Sequence, residues 1–251
     1  MSTSVLETAA HSPPAAPPRP APLASRIADT LFSPGKVFEQ FREGAAPWVA
    51  PIVVSLVVMV ALLALRPLFI SNREVAEFTL QHMRELGQQN PPSVEQVEQG
   101  IVMQSVFGAV GLAFWMFLRV IVAATLLAGI YGLLMGGNAR FGSYLAVASH
   151  AFLVSTLGSI VLTGMQYASG QLDLMLDATL LMGDDPGAFL SALGHVLNPF
   201  GVWLIVLLAL GGAVVNRRQG WAGAAAILAG LQFVMFFAVG LLTGMLTSRA
   251  G

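Results

Sequence analysis

IVMQSVFGAVGLAFWMFLRVIVAATLLAGIYGLLM, residues 101–135, carries a single charge, Arg119, and no proline. As an α-helix it would extend roughly 52 Å, against a hydrocarbon core of about 30 Å. A hairpin would need a turn near Arg119, yet residues 113–128 contain neither proline nor glycine. The stretch is therefore predicted to be one long, tilted helix that projects beyond a membrane. Arg119 then falls within or near the hydrocarbon layer, where a charge costs about 2.5–3.5 kcal/mol on insertion scales and calls for a partner.

Further apolar runs occupy 48–65, 144–167, 199–215 and 221–246. Each is long enough, or nearly so, to cross a bilayer. Only 10% of residues are charged and 56% are hydrophobic, whereas soluble domains carry about 25% charge. The fold class predicted is an all-α polytopic membrane protein with five transmembrane helices plus an N-terminal interfacial amphipathic helix. The spans are placed at about 48–70, 106–135, 143–167, 197–215 and 220–246, within a membrane domain over 47–248. A net charge of −1 and the lack of a basic, aromatic-interleaved patch argue against nucleic-acid binding. With no cysteine, disulfides and thiolate chemistry are excluded. Residues 1–25 lack the apolar core of a signal peptide, so the first span is expected to direct insertion.

Residues 1–23 include HSPPAAPPRPAP and read as a disordered Pro/Ala-rich tail. Residues 24–46 form an amphipathic cytoplasmic segment. Ser33 and Pro34 look like a helix start, and Val37, Phe38 and Phe41 then share one face. Two readings stand side by side. The face lies in the membrane interface, with Lys36 and Arg42 near lipid phosphates, or it packs on the protein's own bundle, and the two are compatible.

Between the first two spans a polar link contains a helix from Asn72 to Leu86, a Pro91–Pro92 break and a capping box opening at Ser93. Residues 168–196 are acidic, with Asp173, Asp177, Asp184 and Asp185. The run 172–182 is too short to span and suits an interfacial or re-entrant segment. Asp184, Asp185 and Pro186 look like the start of a short helix. Arg26, Lys36, Arg42, Arg140, Arg217 and Arg218 fall on one side; Arg66, Arg73, Arg84 and Arg249 fall on the other. That majority predicts a cytoplasmic N terminus and an outside C terminus.

Three segments then occur in a familiar order: LFSPGKVF (31–38), GGNARFGSY (136–144) and NPFGVW (198–203) running into LLALG (207–211). Together they resemble the bacterial branch of the Yip (Ypt-interacting-protein-like) domain family, over roughly residues 28–246. The resemblance implies five membrane helices, a cytoplasmic N terminus and a role in membrane organisation. Eukaryotic relatives bind Rab-type GTPases and serve vesicle traffic. The Ala/Gly/Pro-rich composition suggests a bacterial source and hence an inner (plasma) membrane. Ser155 and Thr156 stand where relatives often carry a helix-bending proline.

The sequence shows no nucleophile elbow, phosphate loop or zinc-protease motif, so neither enzyme activity nor a cofactor nor a metal is expected. Arg119 and His150 are the candidate intramembrane polar residues. Partners considered for Arg119 are Asp173, Asp177, helix-end carbonyls or a lipid phosphate; a helix-locking role is favoured over a substrate site. His150 reads as a hydrogen-bonded interior histidine, with proton relay as the alternative. Small residues at Gly129, Gly132, Gly240, Gly244 and across 222–230 are expected to bring helices close, with homo-oligomerisation as the lesser reading. The function predicted is a non-enzymatic membrane scaffold that contacts the bilayer and a protein partner through its N-terminal segment. The alternative is a small transporter or channel component lined by Arg119, His150, Gln166 and Gln232.

Overall fold

The computed structural model describes residues 21–43, 47–85, 88, 90–172, 174–182, 187–218 and 220–247. The predicted tail lies outside these apart from residues 21–23, as do Asp173, Asp184, Asp185 and Pro186. Every regular element among the described residues is helical. Among the described residues four helices are long and apolar enough to cross a membrane, and a bent pair makes up to five. The all-α membrane architecture expected from the apolar runs is the one observed.

Helix α1 covers Leu23–Phe32 and α2 covers Pro34–Glu43. Their junction is at Ser33, because Pro34 has no N–H for α1's ladder and its fixed φ suits a new first turn. The first long helix, α3, runs Val49–Leu65 and tightens into a 3-10 turn at Arg66–Leu68, where Pro67 ends it. Helix α4, Asn72–Glu85, packs on α5.

Helix α5 spans Val94–Leu127. The Ser93 side chain accepts from the Gln96 N–H, and the Gln96 side chain accepts from the Ser93 N–H, completing the expected capping box. The helix continues as a π-helical stretch, Ala128–Leu134. Residues 101–134 thus form one unbroken helical run, with Phe107–Leu134 its membrane-length part. The π stretch carries Tyr131 to full burial, where its hydroxyl donates to the Ala209 carbonyl (2.5 Å).

Helix α6, Phe141–Ser169, is the central post: 56% of its apolar window is buried, against 6% for the last helix. It packs on α3, on α5 and on α8, Pro199–Val215. Preceding α8 is α7, Gly187–Val196, which crosses it at 66°. The bend has a local cause. Pro199 cannot extend α7, and the Asn198 side chain caps α8 by accepting from Phe200 N (2.9 Å) and Gly201 N (3.1 Å). Helix α9, Ala222–Thr247, completes the chain and packs mainly on α7 and α8.

Glycines set the closest approaches. A Cβ on Gly212 would lie 2.2 Å from the Tyr131 ring, and one on Gly211 would lie 2.4 Å from Val147. These are not the small residues the sequence pattern singled out. Gly129, Gly132, Gly223 and Gly230 have open space where a Cβ would stand, whereas within the 222–230 run Ala224 is fully buried in the core and Ala225 and Ala229 pack against it, so that stretch does supply a close contact. Spacing of small residues does not say which face meets a neighbour.

The N-terminal pair is also placed by packing. Val37, Phe38 and Phe41 are fully buried and belong to the main apolar core with residues of α5, α6 and α8. They therefore do not contact lipid, and the interfacial reading of this face is corrected. The bundle offers an apolar cleft that encloses the rings on every side, whereas an interface would cover one side only. The Ser143 hydroxyl adds a hydrogen bond to the Phe41 carbonyl (2.8 Å), satisfying the end of α2. Lys36 remains at the surface, 3.7 Å from Asp29, and Arg42, in the last turn of α2, is exposed.

Candidate functional site

Arg119 stands near the middle of the membrane-length part of α5. Its guanidinium carbon lies 4.8 Å from the centroid of the Phe152 ring on α6. A cation over a ring face is attracted by the ring quadrupole, by about 2 kcal/mol when desolvated. That contact couples α5 to α6. The guanidinium has no hydrogen bond or ion pair with any described residue. Asp177 is engaged elsewhere, and Asp173 lies outside the described residues.

Around Arg119 the walls are unusually rich in hydroxyls for a membrane interior. A cavity of about 60 Å³ is bounded by Arg119, Ser55, Ser149, Ser155, Thr156 and Ser159 together with apolar residues of α3, α5 and α6. Ser149, Thr156 and Ser159 donate back to carbonyls of their own helix. Ser55 does not: its hydroxyl is buried, with the residue 1% exposed, and has no partner. A second cavity, about 230 Å³, shares Arg119, Ser155 and Ser159 and extends to His195, Asn198 and Gln232. A third, about 420 Å³, shares Met59 and Leu112 with the first and reaches Arg66, Gln166 and Tyr167. Arg119 thus lines two of three neighbouring cavities.

His150 lines none of these three cavities. It is fully buried against the Phe41 ring, 4.7 Å between centroids. Its Nδ1 lies 2.8 Å from the Ala146 carbonyl and its Nε2 lies 3.5 Å from Arg26 Nη1. Nδ1 therefore carries the proton, and Nε2 accepts from the guanidinium. Arg26 comes from α1 and is 5% exposed. Its Nη1 also reaches the Pro47 carbonyl (3.5 Å), while Nε has no partner. Burial lowers the Arg26 pKa, yet a guanidinium stays charged. Arg26 and His150 form a polar clasp holding the N-terminal helices to α6.

A second unanticipated cluster joins α7 to the preceding link. His195 Nδ1 is 2.8 Å from an Asp177 carboxylate oxygen, and Ser191 Oγ is 3.4 Å from His195 Nε2. Asp177 also caps the 3-10 turn Ala178–Leu181 by accepting from the Thr179 N–H (3.0 Å) and hydroxyl. Burial raises the Asp177 pKa; hydrogen bonds from Thr179 and His195 outweigh it, so the carboxyl sits below its ordinary range. Residues 177 and 195 are too far apart in sequence for any periodicity to pair them. Ser55 left a fainter trace, as the one polar side chain in α3.

Among the described residues no group of three or more His, Cys, Asp or Glu could hold a metal. A family model described as Yip1 domain matches residues 28–242. No curated protein matches, and no solved structure matches.

Proposed function

Because the chain belongs to the Yip1 domain family of membrane proteins, we propose that it is a non-enzymatic integral membrane scaffold presenting a rigid cytoplasmic cap. The observation that carries this reading is the docking of α1 and α2 on the bundle. Val37, Phe38 and Phe41 fill the core, and Arg26 reaches His150. What remains outward is a fixed surface with Lys36 and Arg42 and a protruding Phe32, 81% exposed. Such a platform suits contact with a protein partner or the lipid surface. The α7–α8 pair serves as the fourth of five spans, with the N terminus in the cytoplasm and the C terminus outside. The membrane is a bacterial inner membrane.

The neighbouring cavities lined by Arg119 favour a second reading, a small transporter. His150 would then play no part, being enclosed by Arg26 and Phe41. Reconstitution separates the two. A scaffold alters vesicle diameter or shape in cryo-electron micrographs as protein content rises, without releasing trapped small anions. Phe32→Glu with Lys36→Glu weakens that effect. Anion flux through vesicles of unchanged shape would replace the scaffold by the transporter.

A further inference from the structure

We propose that Arg119 holds the anionic head of a single-chain amphiphile, a long-chain carboxylate or phosphomonoester, entering sideways from the bilayer. This inference stands apart from the scaffold reading. It rests on Arg119, Ser55 and the cavities that meet there.

Arg119 is a cation at mid-membrane depth whose only described partner is a ring face. Ser55 is a buried hydroxyl with no partner, lining the same cavity. A buried hydroxyl is normally satisfied, and a charge facing hydrocarbon instead of water needs a partner still more strictly. Two unsatisfied donors bordering one cavity are complementary to an oxyanion. The adjoining cavity adds Gln232, whose amide takes no hydrogen bond from the described residues, and Asn198, whose oxygen is committed to capping α8 but whose NH₂ is not. Among the described residues no carboxylate competes: Asp177 is held by Thr179 and His195.

Access decides the carrier. Arg119 is exposed rather than sealed in the bundle, and its neighbour Trp115 on α5 is 56% exposed. This opening faces what the bilayer's acyl chains would occupy, so a ligand with an apolar tail can leave its tail among them. A choline or ethanolamine head would bring a second cation against Arg119 and is disfavoured.

The test uses the full chain in a neutral, non-ionic detergent, with binding followed by native mass spectrometry. The probes are oleate, dodecyl phosphate, oleyl alcohol, butyrate and inorganic phosphate. Oleate or dodecyl phosphate should bind saturably, one per chain, and oleyl alcohol should not displace it. Arg119→Gln should weaken binding by about tenfold or more, as expected for a lost charge-assisted hydrogen bond, and Ser55→Ala by about threefold. Arg119→Lys should fall between wild type and Arg119→Gln. Equal binding of oleyl alcohol would overturn the proposal. So would butyrate or phosphate binding as tightly as oleate, which would assign the site to a water-borne anion. If Arg119→Gln does not fold, Ser55→Ala and Gln232→Ala decide the matter; wild-type affinity in both would overturn it.

Discussion

Gly212 shows how a single residue sets the spacing of this bundle. The Tyr131 ring it faces is fully buried, and its hydroxyl is anchored on Ala209, so the ring has nowhere to move. Gly212→Ala should lower stability by about 1–3 kcal/mol, the range for overpacking, read as a lower midpoint of thermal unfolding in detergent. Gly230→Ala, with open space at its Cβ, should be neutral or stabilising by up to about 1 kcal/mol in the same assay. Asp177 makes a pH-dependent contribution. Its folded-state pKa is below the unfolded one, so its contribution is fully present above the unfolded value, near pH 4, and fades as pH falls through the folded value. Asp177→Ala should cost about 1–3 kcal/mol at neutral pH. The gap from wild type should narrow below about pH 4. A gap constant down to pH 2 would show that the carboxylate's charge is not what matters.

At the scale of elements, the N-terminal helices are held by a few large side chains. Phe41→Ala removes a fully buried ring that touches both Phe38 and His150. Loss of a buried Phe costs about 3–5 kcal/mol, a loss that falls on the contacts holding α2 to α6 and α8. Amide hydrogen exchange should then show faster exchange over residues 23–43, with α6 still protected. If both exchange together, the cap and the bundle form one cooperative unit instead. The α7–α8 bend depends on Asn198 in a different way. Asn198→Ala removes two hydrogen bonds to α8 and should cost about 1 kcal/mol, while Pro199 keeps the break in place.

For the whole molecule, the sorted basic residues carry a topological prediction. The chain has no cysteine, so single cysteines can be introduced cleanly. An impermeant thiol reagent added outside cells should label a cysteine at Ser93 and leave one at Asn138 or Lys36 unlabelled. The ends of the bundle fit this sorting. Asn216 binds the Ala139 N–H and the Tyr144 hydroxyl, and Arg218 donates to the Met135 carbonyl, so both basic turns sit together at the end that α2 covers. Labelling at position 138 from outside would remove the five-span arrangement.

Apolar length and charge frequency determined the class of this protein from the sequence by itself, because a hydrocarbon layer imposes a minimum helix length and a cost on each charge. Local chemistry was legible for the same reason of short range. The Ser93 capping box, the Pro34 helix start and the unbroken run through 101–135 each depend on residues within a turn or two. Periodicity also showed that Val37, Phe38 and Phe41 share a face, but an apolar face fits lipid and protein alike. Tertiary packing alone chose the protein. It also buried Arg26 against His150, joined Asp177 to His195 across the bend before α8, and left Arg119 facing Phe152 and a partnerless Ser55 hydroxyl. Those pairings arise where helices distant in sequence meet, and no local pattern records which faces those will be.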